Sequence, residues 1–149
     1  MIAKEKNTSK TAHPFEAPDY YLLDDLFSEE HRLIRNSARD WMNQYISPHI
    51  NDWAQNNECP THLVKEMGAQ GFFGPSLPEK YGCPGLDEIS YGLIMQEIER
   101  VDSGIRSMAS VQGSLVMYPI YKYGSEEQKQ KYLPKQAIGE IMGCFGLTE

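Results

Sequence analysis

Three residues in the second half of this 149-residue chain could bind an acid. Arg106, Ser110 and Gly113 share one side of a helix predicted from about Ser103 to Tyr118, together with Met117. That side offers a cation, then a hydroxyl one turn on, then no side chain at all. A guanidinium beside a hydroxyl suits a carboxylate, because its fork of donors reaches both oxygens. The missing side chain at Gly113 would let a ligand or another backbone come close. The bland alternative is helix packing against Gly113, with Arg106 in a surface ion pair. Met108, Val111, Leu115 and Tyr118 fall on the opposite side and are the expected core face. Elsewhere, Cys59 and His62 stand close enough to share a metal, but no second pair completes a ligand set, so an unrelated Cys and His is the better reading.

These residues need a scaffold, and helical patterns dominate the chain. Ser28 is placed to cap a first helix whose positive end suits Glu29 and Glu30. Leu33, Ile34, Ser37, Ala38, Trp41, Met42 and Tyr45 form its inward side; Arg32, Arg35, Arg39 and Asn43 lie opposite. Pro48 ends or kinks it. Shorter helices are expected over Ile50 to Asn57 and from just after Pro60 to about Ala69, with Gly71 as a stop. Residues 71 to 85 read as a loop in which Phe72, Phe73 and Leu77 pin the chain to the core. A long helix from about Asp87 to Val101 turns Ile89, Leu93, Ile94 and Ile98 inward. Asp102-Ser103-Gly104 breaks it before the Arg106 helix, which ends near Pro119. Ser125 to Gln128 is a capping box opening another helix. Pro134 marks a further short one, and Gly139 ends it. Glu97 and Glu140, tempting as a catalytic base, read as solvated helix or turn residues. Ile141 to Leu147 is an apolar run with the look of a strand.

The fold expected is therefore mainly α, a helical bundle with one terminal strand. It divides into a tail at residues 1–18, a helical domain at 19–139 and a strand at 140–149 that belongs to a further β-domain. Nothing follows Glu149 to pair with that strand, so the chain is expected to be part of a longer structure. A free-standing helical binding module without catalysis is the alternative, but it should have a polar C-terminal end.

Composition narrows the classes. At 40% hydrophobic and 23% charged, the chain is ordinary for a globular domain. The net charge of −7 argues against nucleic-acid binding, which relies on neutralising phosphates. No run approaches the ~20 apolar residues of a membrane span. Met1 to Pro14 lacks the apolar stretch of a secretory signal and is not clearly a transit peptide. Three widely spaced cysteines, Cys59, Cys83 and Cys144, point to a reducing compartment rather than a disulfide framework.

Several segments together carry a family resemblance. They are IRSMASVQ at 105–112, LVMYPI at 115–120, YGSEEQKQKYLP at 123–134, Gly139-Glu140 and the terminal GCFGLTE at 143–149. From about residue 20 to the end, the chain resembles the acyl-CoA dehydrogenases, and most closely their glutaryl-CoA dehydrogenase branch. The resemblance implies a helical N-terminal domain, a middle β-domain and a C-terminal helical domain, of which this chain matches the first and the opening of the second. It implies FAD-dependent α,β-dehydrogenation of an acyl-CoA, glutaryl-CoA in this branch, with loss of carbon dioxide able to follow. By the same resemblance, Arg106 matches the position that binds the distal carboxylate, Ser107 and Ser110 lie beside the acyl pocket, and Glu99 belongs to the same polar network. Phe145, Gly146, Leu147, Thr148 and Glu149 match the start of a flavin-contacting motif. The family's catalytic glutamate lies in its third domain, so no residue here matches it, and this chain alone is expected to be inactive. An electron-transfer flavoprotein as acceptor, a homotetramer for the complete enzyme, and a cytoplasmic or mitochondrial-matrix location are implied likewise.

Overall fold

The computed structural model describes residues 18–147. The described residues are helical. Element α1 spans Glu29–Tyr45, α2 Ile50–Asn56, α3 Val64–Ala69, α4 Glu88–Val101, α5 Ser103–Ser110, α6 Tyr118–Tyr123 and α7 Glu126–Ala137. Short 3₁₀ turns cover Leu23–Leu26, Thr61–Leu63 and Glu79–Tyr81, and a π-helical segment, Val111–Met117, joins α5 to α6. None of these helices is long and apolar enough to cross a membrane.

The helix ends follow local chemistry. Ser28 accepts from the His31 N–H, and the His31 ring closes a capping box back onto Ser28. Ser125 and Gln128 form the second box, opening α7. Asp87 caps α4 by accepting from the Ser90 N–H at 2.8 Å and also holds His31 Nε2 at 2.7 Å. Gly71 and Gly139 supply the positive φ that turns the chain after α3 and α7.

The core lies where α1 runs along α4 and the 71–86 loop folds over both. Trp41 meets the edge of Phe72 with ring centroids 5.4 Å apart. Phe73, Leu77 and Tyr81 are buried, as expected of residues that pin the loop down. Leu86 N–H donates to the Pro75 carbonyl and Gly85 N–H to that of Leu77, which closes the loop on itself. The buried Tyr81 then reaches α7, its hydroxyl 2.9 Å from a Glu126 carboxylate oxygen.

Several expectations are corrected. Leu33, Tyr45 and Ile89 are exposed. The side of α1 opposite the inward face is engaged in ion pairs: Arg35 pairs with Asp24, and Arg39 reaches Glu97 across the α1–α4 seam. Pro119 does not end the Arg106 helix. The π-helical turns widen the ladder to five-residue steps, Tyr118 N–H donating to the Gly113 carbonyl, so the chain passes a residue that cannot donate. Pro134 lies within α7 instead of starting a new helix. The strand expected at 140–149 would pair within a further β-domain, and the described residues hold no second strand against which residues 141–147 could form a ladder, so that expectation is not among the corrected ones. The tail at 1–17 and the final Thr148 and Glu149 lie outside the described residues.

Candidate functional site

Asp102 builds the corner on which the site depends. Its backbone N–H caps the end of α4 by donating to Ile98, and its side chain caps α5 by accepting from the Ile105 N–H at 2.7 Å. One residue thus ends one helix and starts the next. The sharp corner brings Arg106, on the first turns of α5, back over Glu99 near the end of α4.

Arg106 Nε donates to Glu99 Oε2 at 2.5 Å, and a terminal guanidinium nitrogen donates to Ser110 Oγ at 3.3 Å. Ser110 Oγ in turn donates to the Ser107 carbonyl at 3.1 Å. The array is open to solvent: the Arg106 side chain is 35% exposed and that of Glu99 48%. The Asp102 carboxylate caps α5 and makes no ion pair with Arg106, whose backbone N–H donates to the Asp102 carbonyl at 3.1 Å. Glu99 takes the Nε edge of the guanidinium. Its second terminal nitrogen makes no hydrogen bond among the described residues, so donors remain on the outer edge for a planar acceptor.

The two faces expected for the Arg106 helix are partly exchanged. The buried positions are Ile105, Ala109, Gln112, Gly113 and Met117, whereas Leu115 and Tyr118 are exposed. The π segment shifts the phase after Val111, so a strict 100° step no longer predicts the inward side. The bare backbone at Gly113 receives another backbone rather than a ligand: a Cβ there would lie 3.1 Å from the Gly74 nitrogen. Past that contact opens a cleft of about 320 Å³ lined by Ser76, Leu77, Glu88, Tyr91, Ser114 and Tyr118, with Tyr91 Oη and Ser114 Oγ 2.7 Å apart.

Glu97 is the second correction. It is 1% exposed, bonded by Arg39 at 2.9 and 2.7 Å and by Arg100 Nε at 3.0 Å. Arg100 also reaches Asn43 at 2.7 Å. Burial pushes the Glu97 carboxyl up, but the hydrogen bonds from the two guanidinium groups outweigh it and hold the acid below its ordinary value. Glu97 ties α1 to α4 as a carboxylate. Glu140 is exposed and pairs with Lys135.

At the other end, Phe145, Gly146 and Leu147 are exposed, and a Cβ on Gly146 would meet nothing within 4 Å. Such an uncovered apolar segment could lie against a flat ring system. No group of three or more His, Cys, Asp or Glu among the described residues could hold a metal. Sequence reasoning missed Gln112, a fully buried amide. Its place on the Ile105–Ala109 side is the one signal that could have marked it.

The helical architecture is shared with proteins of known structure. Residues 28–140 match the model of the acyl-CoA dehydrogenase N-terminal domain, and the chain belongs to that family. An acyl-CoA dehydrogenase of Bacillus subtilis is 38% identical over 122 residues, covering 82% of this chain and 32% of the relative. A glutaryl-CoA dehydrogenase of Desulfococcus multivorans is 35% identical over 130 residues, 85% of this chain and 33% of the relative. The crystal structure of a glutaryl-CoA dehydrogenase from Mycobacterium smegmatis in complex with FADH2 superposes with a TM-score of 0.82 at 45% identity, over 85% of this chain and 32% of that one. The chain thus spans about one third of the length of these relatives.

Proposed function

We propose that this chain forms the N-terminal part of an FAD-dependent acyl-CoA dehydrogenase acting on glutaryl-CoA. The observation that carries the reading is the Arg106 array, whose outer guanidinium edge lies beside the Ser110 hydroxyl. A distal carboxylate can take two donors from that edge, while Glu99 fixes the opposite edge and the Ser110 oxygen steadies one terminal nitrogen. Ser107 holds the Ser110 hydroxyl through its carbonyl. Phe145, Gly146 and Leu147, with Thr148 and Glu149, are the residues that would lie against the flavin. Bound FAD supplies the hydride acceptor. No residue here is assigned as the base, and an electron-transfer flavoprotein as acceptor and a homotetramer are part of the same reading of the complete enzyme.

The test compares glutaryl-CoA with butyryl-CoA in a polypeptide extended to the relatives' length. Arg106→Ala should lower kcat/KM for glutaryl-CoA by about 2–5 kcal/mol and leave butyryl-CoA nearly unchanged. An equal effect on both thioesters would remove the dicarboxylate assignment. The 149-residue chain alone should not turn over glutaryl-CoA; turnover by it would sink the reading of an incomplete site. One observation favours a second substrate. The 2.5 Å pair with Glu99 gives Arg106 a carboxylate partner without any ligand, and if Arg106 meets no ligand in the working enzyme, a simple acyl-CoA is the substrate.

A further inference from the structure

Gln112 is 0% exposed, and its side chain spends both amide N–H groups and its oxygen on backbone between Gln136 and Gly143. Its Nε2 donates to the carbonyls of Gln136, at 3.2 Å, and Ile141, at 2.9 Å. Its Oε1 accepts from the Gly143 N–H at 2.9 Å. Only one orientation of the amide serves all three, since the flipped form would set oxygen against two carbonyls and N–H against N–H. The residue stands at the second position of the π segment, on the helical run that carries Arg106 and Ser110. Its partners are the end of α7 and the start of the exit segment that leads to Phe145. Beside it, a Cβ on Gly143 would lie 2.4 Å from a Val116 methyl, so the segment lies flat on the same helix.

We propose that Gln112 is a positioning residue, which sets where the Gly143–Leu147 segment leaves the helical domain and so fixes that segment relative to the Arg106–Ser110 array. Nothing else among the described residues holds Gly143 N–H, and the segment forms no ladder of its own. A carboxamide can do what a helix or strand would otherwise do, because a buried backbone group without a partner is costly. That this couples a substrate-facing helix to a flavin-facing segment rests on the function proposed above; the anchoring itself does not.

Amide exchange by NMR in the full 149-residue chain separates the two. The Gly143 amide should exchange at least about 100-fold slower than an unprotected amide. In Gln112→Met, similar in length but unable to bond, its protection should fall about tenfold or more, while the amides of Asp102 and Gly124, bonded to Ile98 and Ile120, change less than about threefold. Gln112→Leu is the second variant, should the first not fold. An unprotected Gly143 in the unaltered chain would overturn the proposal without any variant. So would protection that survives in Gln112→Met, or that falls equally at all three amides. No flavin enters the readout, so failure of the flavin assignment would leave the exchange result standing.

Discussion

Two glutamates two residues apart on α4 meet opposite fates. Glu97 is closed off from water and spends both oxygens on Arg39 and Arg100. Glu99 is half exposed and touches one edge of one guanidinium. A helix turns 200° over two residues, so the one faces α1 and the other the corner where α5 begins. The chemistry of the pairs is the same; the geometry decides what each can do. A carboxylate with two guanidinium partners and no water is committed to holding helices together. A pair left open has donors to spare for a ligand.

The largest effect that would break this contrast lies at Glu97. Removing it leaves two guanidinium groups facing an apolar gap between α1 and α4. Glu97→Ala should therefore lower stability by about 3 kcal/mol, near the low end for a broken buried pair because both arginines keep some water. Urea unfolding of the chain measures this. A loss well below 1 kcal/mol would show that the junction is not structural and would erase the distinction from Glu99.

The next two effects concern space. A methyl group on Gly113 would press on the Gly74 backbone, which cannot swing aside as a side chain can. Gly113→Ala should cost about 1–3 kcal/mol. Gly92, on α4 with nothing within 4 Å of a Cβ, is the matching control. Gly92→Ala should stabilise by about 0.5–1 kcal/mol through helix propensity alone. If both substitutions stabilised, the close approach at Gly113 would not exist in solution.

How much of this was legible beforehand depends on the range of the interaction. Ser28, Asp87 and Ser125 announce helix starts because a cap is a contact over two or three residues. Phe72, Phe73 and Leu77 could be assigned to the core from their type alone. Glu97 could not be read, because its neutralising Arg39 lies 58 residues away and on another helix. The π segment escaped for a similar reason: its widening accompanies the meeting of Gly113 with Gly74 and the bonds of Gln112, all long-range. That phase shift also bears on Leu115 and Tyr118, which are exposed, whereas Ile105 and Ala109 take the inward side before the π segment begins. The terminal strand is an inference from apolar character, and its expected partner belongs to a further domain rather than to the described residues. The Arg106–Ser110 spacing was readable on one turn of helix, yet Glu99 as its partner depends on the corner at Asp102.

Asp87 gives a smaller effect with a pH signature. The Ser90 N–H and then the His31 ring hold its carboxyl down, from an ordinary 3.8 to about 2. A depressed acid stabilises the fold above its unfolded value and loses that contribution as pH falls through the folded one. The Asp87 contribution should be complete above about pH 4 and fade toward pH 2. Asp87→Ala should cost about 1 kcal/mol at neutral pH, as for other caps, and less in acid. Equal losses at pH 7 and pH 2.5 would deny the carboxylate its part.

The smallest expected effect on stability sharpens the contrast most. Arg106→Ala removes an ion pair open to water and a long bond to Ser110. Exposed pairs contribute little, because water screens the charges and ordering two side chains costs entropy. The loss should stay within about 0.5 kcal/mol and shrink further in 1 M salt, where the Debye length is about 3 Å. The same unfolding curves that report Glu97→Ala settle it. A cost comparable to that of Glu97 would mean that Arg106 is a structural strut whose removal would disturb any substrate alike. A near-neutral result would mean that the α4–α5 corner holds a guanidinium the fold does not need, and a side chain the fold does not need is free to serve a ligand.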